Sequence, residues 1–412
     1  MQIKKKLIYL IDQSIVSFSN FLLTILILRN LGLEIFGLFS FTWLVFLFLL
    51  TLQMSLVISP MLSNLSKIDK KYVFEYYGGV FIIQLLFLII ILLLILVGFE
   101  IYKDKLLDLN LYKFKAKFIL IVFFSQIFNF YRRYLYSKKN LNFVLLIDFI
   151  TYFSLFFTFS LYFFLGSIYL DHIYNSMIVS FFLGSFFGLI VKEKFIYNFR
   201  GLKISTKINL INSSWLTLNT IFQWFSGNFW VLNAGIILGS KYLAVIRACQ
   251  TVLNVSNLIF QTLENIFPVK FGEIFKQNGA KYLRNYIYKY QIYGFIIFFI
   301  ISIILLSLSE TLLLFLYGSD MVKYDYVLKI MSFTLPIVFI SYLPLYALRL
   351  FDKPYPIFFS TLINSIVAIT LSNFIIEYFG IYGFIFGIYF SNIMSALIIN
   401  LFYIMLINKI RK

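Results

Sequence analysis

The sequence predicts an all-α polytopic membrane protein with twelve transmembrane helices, arranged as two six-helix lobes related by a parallel pseudo-two-fold repeat. Apolar residues make up 61% of the 412 residues and charged residues only 13%, and the mean hydropathy is +0.92. Soluble domains contain about 45–50% apolar and about 25% charged residues. Because a soluble core could not bury this much apolar surface, the composition excludes a soluble enzyme, a DNA-binding domain and a disulfide scaffold.

Twelve segments are long and apolar enough to cross a bilayer, which takes about 20 residues in helical conformation. No connection between them is long enough for a further folded domain. The first segment follows a basic N-terminus and has no small-residue cleavage site at its end, so we expect an uncleaved first span. The spans lie near residues 8–28, 37–59, 78–99, 117–136, 143–165, 173–191, 213–235, 242–267, 290–314, 326–348, 355–378 and 382–407.

The orientation follows from the distribution of positive charge. The net charge of +18 would indicate nucleic-acid binding in a soluble protein, but membrane proteins accumulate Lys and Arg in cytoplasmic loops. Most of the 35 Lys and Arg residues lie on one side of the spans when the N-terminus is cytoplasmic. We therefore predict two cytoplasmic termini and no nucleic-acid partner. The exception is the loop between spans three and four, which carries Lys103, Lys105, Lys113, Lys115 and Lys117.

The two halves of the chain share features separated by about half of its length. The first span of each half ends in Leu-Gly, a small residue follows five positions later, and a proline ends the next span. The alternative is coincidence, because Gly is common in membrane helices. Six spans per half give both halves the same orientation, which is typical of transporters with two lobes around a central pathway. We expect lobes at residues 1–200 and 201–412. The corresponding pairs are Gly32 and Gly239, Gly37 and Ala244, and Pro60 and Pro268.

Polar residues recur on one face of span eight, within an arc of about 100° at 100° per residue. Ionisable groups within a span usually face a bundle interior or a water-filled cavity. The stripe therefore predicts a lined cavity, and the alternative is hydrogen bonding between packed helices. The six residues are Arg247, Gln250, Asn254, Asn257, Gln261 and Glu264.

Span one carries a smaller polar stripe, and span seven has polar residues in the equivalent place. If the repeat holds, these two spans face each other across the pathway. Asp12 could equally be a satisfied acid at a helix end, and Arg29 could reach the headgroups. Span one contributes Asp12, Gln13, Ser17, Asn20, Thr24 and Arg29, and span seven contributes Thr217, Thr220, Gln223, Trp224, Gly227 and Asn228.

An ion pair is also predicted between spans four and five. Asp148 lies six residues into span five, and Arg132 and Arg133 lie at the cytoplasmic end of span four. A pair between Asp148 and one of these arginines would be structural.

No catalytic or metal constellation is present in the sequence. The chain has one cysteine, Cys249, and one histidine, His172, which excludes an internal disulfide, a thiolate metal site and a centre of several histidines. A P-loop, a D-x-D pair and a G-x-S-x-G motif are also absent. We therefore predict a protein that is not an enzyme and needs no cofactor or metal.

Short motifs made mostly of Gly, Arg and Pro in apolar surroundings extend over nearly the whole chain. They are Asp12-Gln13, residues 28–32 and 36–39 around the first outer loop, Ser59-Pro60-Met61, Tyr131–Tyr136 with Asp148, Leu238-Gly239 followed by Ala244, Arg247, Ala248 and Gln250, Pro268, and Tyr317-Gly318. In their order and spacing these stretches are similar to motifs of one transporter family, the Wzx-type lipid-linked oligosaccharide translocases of the multidrug/oligosaccharidyl-lipid/polysaccharide exporter superfamily.

The resemblance implies two six-helix lobes, alternating access and a location in the bacterial cytoplasmic (inner) membrane. The implied activity is that of a flippase that moves an undecaprenyl-diphosphate-linked glycan for O-antigen, and hence lipopolysaccharide, or other surface polysaccharide biosynthesis. Membrane lipids, the pathway's polymerase and its chain-length regulator are the implied partners. The absence of spans beyond twelve argues against members with an additional lipid-binding helix pair.

The chemistry of such a substrate suggests roles for the polar residues. A diphosphate carries about two negative charges and cannot cross hydrocarbon unaided, while a sugar needs hydrogen bonds. Because the planar guanidinium binds phosphate oxygens bidentately, we expect Arg29 and Arg247 to bind the diphosphate. Asp12 and Glu264 are candidates for binding a coupling cation. Gln250, Asn254, Asn257 and Gln261 are expected to contact sugar hydroxyls, and Gln13 and Asn20 are further candidates for substrate binding.

Two other functions remain open. A multidrug exporter of the same superfamily would move organic cations and prefer acidic, aromatic cavities, which the Arg247 stripe disfavours. A membrane polymerase acting on the same glycans would typically carry a large outer loop with arginines, which this chain lacks.

Overall fold

The computed structural model describes residues 2–166, 168–191, 195–353 and 355–411, and within these ranges the chain is helical with no strand. Hydrogen bonds within a helix satisfy the backbone without water, which is why apolar segments of this length fold as helices in a bilayer. The helices are α1 (Gln2–Gln53), α2 (Ser59–Asn64), α3 (Val73–Ile101), α4 (Lys103–Asp108), α5 (Lys115–Ser137), α6 (Leu141–Phe164), α7 (Leu170–Val191), α8 (Phe199–Leu238), α9 (Ser240–Leu253), α10 (Asn257–Tyr317), α11 (Ser319–Val322), α12 (Asp325–Ser332), α13 (Thr334–Leu350) and α14 (Tyr355–Arg411).

Nine helical segments of the described residues are long and apolar enough to cross a membrane. Three of them, Ile11–Lys67, Ile259–Tyr317 and Tyr355–Lys409, contain 57, 59 and 55 residues, enough for two crossings each. Each of the three contains one glycine with a positive φ that interrupts the helix: Gly32 (φ 78°), Gly279 (φ 76°) or Gly380 (φ 58°). Gly32 separates predicted spans one and two, and Gly380 separates spans eleven and twelve. The segment Ile259–Tyr317 contains span nine and the end of span eight, whose first part is α9. The predicted all-helical membrane fold is confirmed.

Gly32 and Gly239 have nearly the same backbone conformation. Their φ and ψ angles are 78° and 176° for Gly32, and 92° and 170° for Gly239. L-residues rarely adopt a positive φ, so glycine is the favoured residue at both positions. This shared conformation at corresponding positions agrees with the predicted repeat.

The polar stripe predicts one continuous helix for span eight, whereas the structure has a break in it. Helix α9 ends at Leu253, a 3₁₀ turn covers Asn254–Ser256, and α10 begins at Asn257. Asn and Ser side chains compete with the helix for backbone hydrogen bonds, which favours such a break. The polar stripe is therefore divided between two helices.

The chain forms two compact units. The first consists of Met1–Leu31 and Thr42–Ile221, and the second of Gly32–Phe41 and Phe222–Lys412. The lobes predicted at residues 1–200 and 201–412 stay a prediction.

Glycine allows close packing at the start of α3 in the first unit. An added Cβ at Gly79 would lie 2.2 Å from the carbonyl oxygen of Gly201, and one at Gly78 would lie 2.1 Å from that of Ile196. Because backbone atoms cannot move aside as a flexible side chain can, these two positions require glycine. A cluster of buried aromatic side chains packs beside this contact: Tyr76, Tyr77, Phe130, Tyr131, Tyr134 and Phe195.

Replacing Gly79 by alanine should destabilise the first unit, because the methyl group overlaps the Gly201 backbone. We expect a loss of about 1–3 kcal/mol, typical of overpacking, seen as a lower apparent melting temperature of the purified protein in detergent. The matched control is Gly98→Ala in the same helix, where an added Cβ meets no atom within 4 Å. An equal effect of both substitutions would contradict the packing role of Gly79.

Candidate functional site

A buried charge cluster connects three helices of the first unit. Arg132 on α5 donates from Nε to Asp148 Oδ1 and Oδ2 of α6, at 3.0 and 2.7 Å, and from Nη2 to Asp12 Oδ2 of α1, at 2.7 Å. The hydroxyl of Tyr136 also donates to Asp12 Oδ2. The two acidic side chains and the guanidinium are almost fully buried, with exposed fractions of 2%, 0% and 9% for Asp12, Asp148 and Arg132.

The cluster satisfies a strong electrostatic requirement. A buried charge is costly unless it is paired and hydrogen-bonded. The guanidinium presents its donors in a rigid fork, which allows Arg132 to bind two carboxylates at once. Arg133 lies close by, since both arginines stack on the Tyr136 ring, at 5.4 and 5.7 Å from its centroid. The predicted pair between Asp148 and an arginine is confirmed, and Asp12 is found in the same cluster.

Four amide side chains form a second polar cluster in the first unit, which sequence reasoning missed. Gln53 donates to Gln84 Oε1 at 3.0 Å and to the Gln126 carbonyl at 2.6 Å, and it accepts from Asn129 at 2.8 Å. Gln126 donates in turn to the Leu49 carbonyl at 3.1 Å. The sequence contains a signal for this cluster, because glutamines at the centre of apolar segments rarely face lipid. These hydrogen bonds connect α1, α3 and α5.

The second unit contains the polar stripe that was predicted on span eight. Arg247 Nη1 donates to Gln250 Oε1 at 3.1 Å, one helical turn further along α9. Both side chains are partly buried, and Ala244, Ala248 and Cys249 beside them on the same helix are fully buried. The guanidinium and the amide are thus held side by side, with donors and an acceptor available for one ligand.

The remainder of the stripe lies in the 3₁₀ turn and in α10. Asn257 Nδ2 donates to Asn254 Oδ1 at 3.1 Å, and both residues are exposed. Gln261 is exposed on α10, and Glu264 forms an ion pair with Arg349 of α13 at 3.4 Å. The structure therefore joins the stripe residues in pairs: Arg247 with Gln250, Asn254 with Asn257, and Glu264 with a residue that was not predicted.

Three of the candidates on span one are exposed along α1. Gln13 donates to Ser17 Oγ at 3.4 Å, Asn20 accepts at its carbonyl from Thr24 Oγ1 at 3.0 Å, and Arg29 lies near the end of the helix before Gly32. Asp12 is the exception on this helix, because Arg132 and Tyr136 bind it.

Replacing Arg132 by methionine should strongly destabilise the protein, because it leaves two buried carboxylates without a counter-ion. We expect a loss of about 3–5 kcal/mol, measured as a fall in the apparent melting temperature. Adding Asp12→Asn and Asp148→Asn should recover more than half of that fall, because the unpaired charges are then removed.

Arg349→Met provides the matched control, since the pair between Arg349 and Glu264 is half exposed. Exposed pairs contribute at most about 1 kcal/mol. If Arg132→Met cost no more than Arg349→Met, or if the triple variant recovered nothing, the electrostatic role of the cluster would be wrong.

Comparison with known proteins places this geometry in a known fold. No family model and no curated protein matches the chain. An inward-facing multidrug resistance MATE family transporter of the MOP superfamily is similar, with a TM-score of 0.77 and 14% identity over 97% of this chain and 95% of that chain. A MATE transporter mutant from Vibrio cholerae gives a TM-score of 0.65 and 14% identity over 98% and 97% of the two chains.

A third similar structure is a MOP superfamily transporter from Pyrococcus furiosus, described as having a binding pocket of reversed polarity that suggests a different function. Its TM-score is 0.62, with 13% identity over 97% of both chains. All three proteins are described as transporters and not as enzymes. The chain therefore has the MATE-type fold of twelve helices in two lobes, as the sequence predicted, and it is a multi-pass membrane-helix protein.

Proposed function

We propose that this protein is a transporter that moves an undecaprenyl-diphosphate-linked oligosaccharide across the bacterial cytoplasmic membrane by alternating access. The MATE-type fold supports a transport role. The acidic side chains of the predicted sites are bound by arginine, whereas Arg247 is hydrogen-bonded to an uncharged amide. This difference supports an anionic substrate, and it is the observation on which the proposal rests.

The acidic side chains of the predicted sites are each bound by an arginine of the protein. Asp12 and Asp148 share Arg132, and Glu264 pairs with Arg349. A site that attracts organic cations is favoured by a carboxylate that no cation of the protein already binds. Arg247, by contrast, is hydrogen-bonded to the neutral amide of Gln250. Its charge is available to an anion, and a partly desolvated guanidinium attracts an anion more strongly than one in water does.

Arg247 and Gln250 fit the two parts of the proposed substrate. The guanidinium binds phosphate oxygens through two parallel N–H groups, and the amide offers a donor and an acceptor to a hydroxyl. Arg29 is the proposed second diphosphate ligand. Asn254, Asn257 and Gln261, with Gln13 and Asn20 on α1, are the proposed sugar contacts; these side chains are exposed and carry amide groups.

Asp12 and Glu264 remain the proposed coupling residues. Oδ1 of Asp12 is buried without a hydrogen-bond partner in the described part of the chain. A proton bound there would weaken the attraction between Asp12 and Arg132, which would release α1 from α5. This step links ion binding to helix movement and supports Asp12 over the half-exposed Glu264.

Multidrug export is the second candidate, because two of the three structures described above are MATE transporters and one of these is described as a multidrug resistance transporter. Drug susceptibility of an overexpressing strain separates the two. An exporter would raise the inhibitory concentration of organic cations, whereas the proposed flippase would leave it unchanged.

Arg247→Ala should reduce flipping of a labelled undecaprenyl-diphosphate oligosaccharide in liposomes by at least about tenfold, because a lost charge-assisted hydrogen bond costs about 1.5–3 kcal/mol. Flipping is measured as loss of the pool protected from an external modifying enzyme. Arg247→Lys should give an intermediate rate, because it keeps the charge and loses the fork.

Lys353→Ala, which removes one positive charge from an exposed loop position, is the control and should flip at the wild-type rate. Protein level and melting temperature must match among the variants. Normal flipping by folded Arg247→Ala would refute the diphosphate role, and no flipping by the wild-type protein would shift the assignment to drug export.

A further inference from the structure

A cavity of about 300 Å³ lies in the first unit, and none of the candidate substrate-binding or coupling residues lines it. It is formed by the loop between α2 and α3, the start of α3 and the end of α5. The volume is at the lower end of the range for small-molecule pockets, and is sufficient for a phosphate group with part of a headgroup. Its lining residues are Leu65, Ser66, Ile68, Lys70, Val73, Tyr77, Ser137 and Lys138.

The wall of the cavity is held in place by its own contacts. Lys138 Nζ lies 4.8 Å from the ring centroid of Phe74 and 5.4 Å from that of Tyr77, both cation–π distances. The Tyr77 hydroxyl and Ser137 Oγ share a hydrogen bond of 2.7 Å, and Ser137 Oγ donates to the Tyr134 carbonyl at 2.6 Å. An ammonium held over two rings loses little further side-chain entropy when it binds an anion, so the cavity is preorganised.

Positive charge surrounds the cavity. Arg200 stacks on Tyr72 at 4.1 Å, and its Nε lies 4.0 Å from Glu75 Oε2. Among the described residues around the cavity, Glu75 and the exposed Asp69 are acidic, and they are outnumbered by basic residues. The charge distribution therefore favours an anion. The basic residues of the cavity and its rim are Lys67, Lys70, Lys71, Lys138, Lys139 and Arg200.

Apolar side chains at the same level indicate a lipid as the source of that anion. Phe74, Tyr197 and Phe199 are exposed by 38%, 51% and 79%. The amide of Ile196 donates to the Phe74 carbonyl at 3.2 Å, which places residues 195–199 beside the start of α3. Exposed aromatic groups next to lysines are typical of the membrane interface. A free phosphate would use the lysines alone, whereas a phospholipid would also cover the aromatic surface.

We propose that this cavity is a binding site for the phosphate group of an anionic phospholipid, with Lys70 and Lys138 as its counter-ions and the Ser66 hydroxyl as a further donor. The lipid's acyl chains lie along the exposed side chains of Phe74 and Phe199. The site is separate from Arg247 and does not depend on which substrate is transported.

Native mass spectrometry of the full-length protein in detergent, titrated with phosphatidylglycerol, tests this site. Lys70→Gln/Lys138→Gln should bind phosphatidylglycerol about tenfold more weakly or worse, since each lysine contributes electrostatic attraction of about 1 kcal/mol. The control is Lys276→Gln/Lys281→Gln, which removes the same charge from exposed positions of the second unit on the same predicted side of the membrane. The control should bind like the wild-type protein, and phosphatidylcholine should bind more weakly than phosphatidylglycerol throughout.

A second measurement on the wild-type protein avoids any effect of the substitutions on folding. Phosphatidylglycerol should slow acylation of Lys138 by an amine-reactive reagent, read by peptide mass, and should leave Lys281 unaffected. Equal affinity of the two double variants, or acylation of Lys138 that the lipid does not slow, would overturn the proposal. Protection of Lys138 by inorganic phosphate alone, at the concentration of lipid used, would overturn the assignment to a lipid.

Discussion

Burial of the Arg132 guanidinium is the constraint on which the first unit depends. A guanidinium in hydrocarbon must be paired, and one carboxylate would leave several of its five N–H donors unused. Asp148 of α6 and Asp12 of α1 together occupy its Nε and Nη2 donors, so three helices must meet at one point. The amide cluster of Gln53, Gln84 and Gln126 imposes the same condition on α1, α3 and α5. Helices that bury polar groups in this way have few alternative packings, because each alternative leaves a donor unsatisfied.

The membrane fold could be predicted from the sequence because span length and hydropathy are local properties. The bilayer fixes the length of a crossing helix, and a leucine-rich segment has no other favourable environment. The break at Asn254–Ser256 could not be predicted in the same way. Its residues continue the helical periodicity of the polar stripe, so the pattern indicates an uninterrupted helix. Asn and Ser side chains favour such a break because they can compete for backbone hydrogen bonds, a property that the period of the polar residues does not contain.

The candidate site was predictable only where its residues are close in the sequence. Arg132 and Asp148 lie on adjacent helices joined by a short turn, so their pairing follows from the hairpin. Asp12 is 120 positions from Arg132, and only the packing of α1 brings them together. The pairing of Glu264 with Arg349 likewise depends on how α10 packs against α13. Sequence alone identified these residues as unusual, but it could not tell a paired acid from one that is available to a ligand.

That distinction determines what the polar residues can do. In the described part of the chain the carboxylates of Asp12, Asp148 and Glu264 are already bound by arginine, which reduces their attraction for a further cation. The positive charge of Arg247 is not reduced in this way, because its hydrogen-bond partner Gln250 is an uncharged amide. Lysines predominate at the proposed lipid-binding cavity. The ammonium group of lysine is compact and strongly hydrated, so it keeps more of its hydration free energy by remaining near water. The guanidinium of arginine is more weakly hydrated and is therefore better suited to the interior of the membrane. The choice between arginine and lysine at the two places thus follows from the cost of dehydrating each cation, while the positive charge that both residues share is what the two proposals for anion binding rest on.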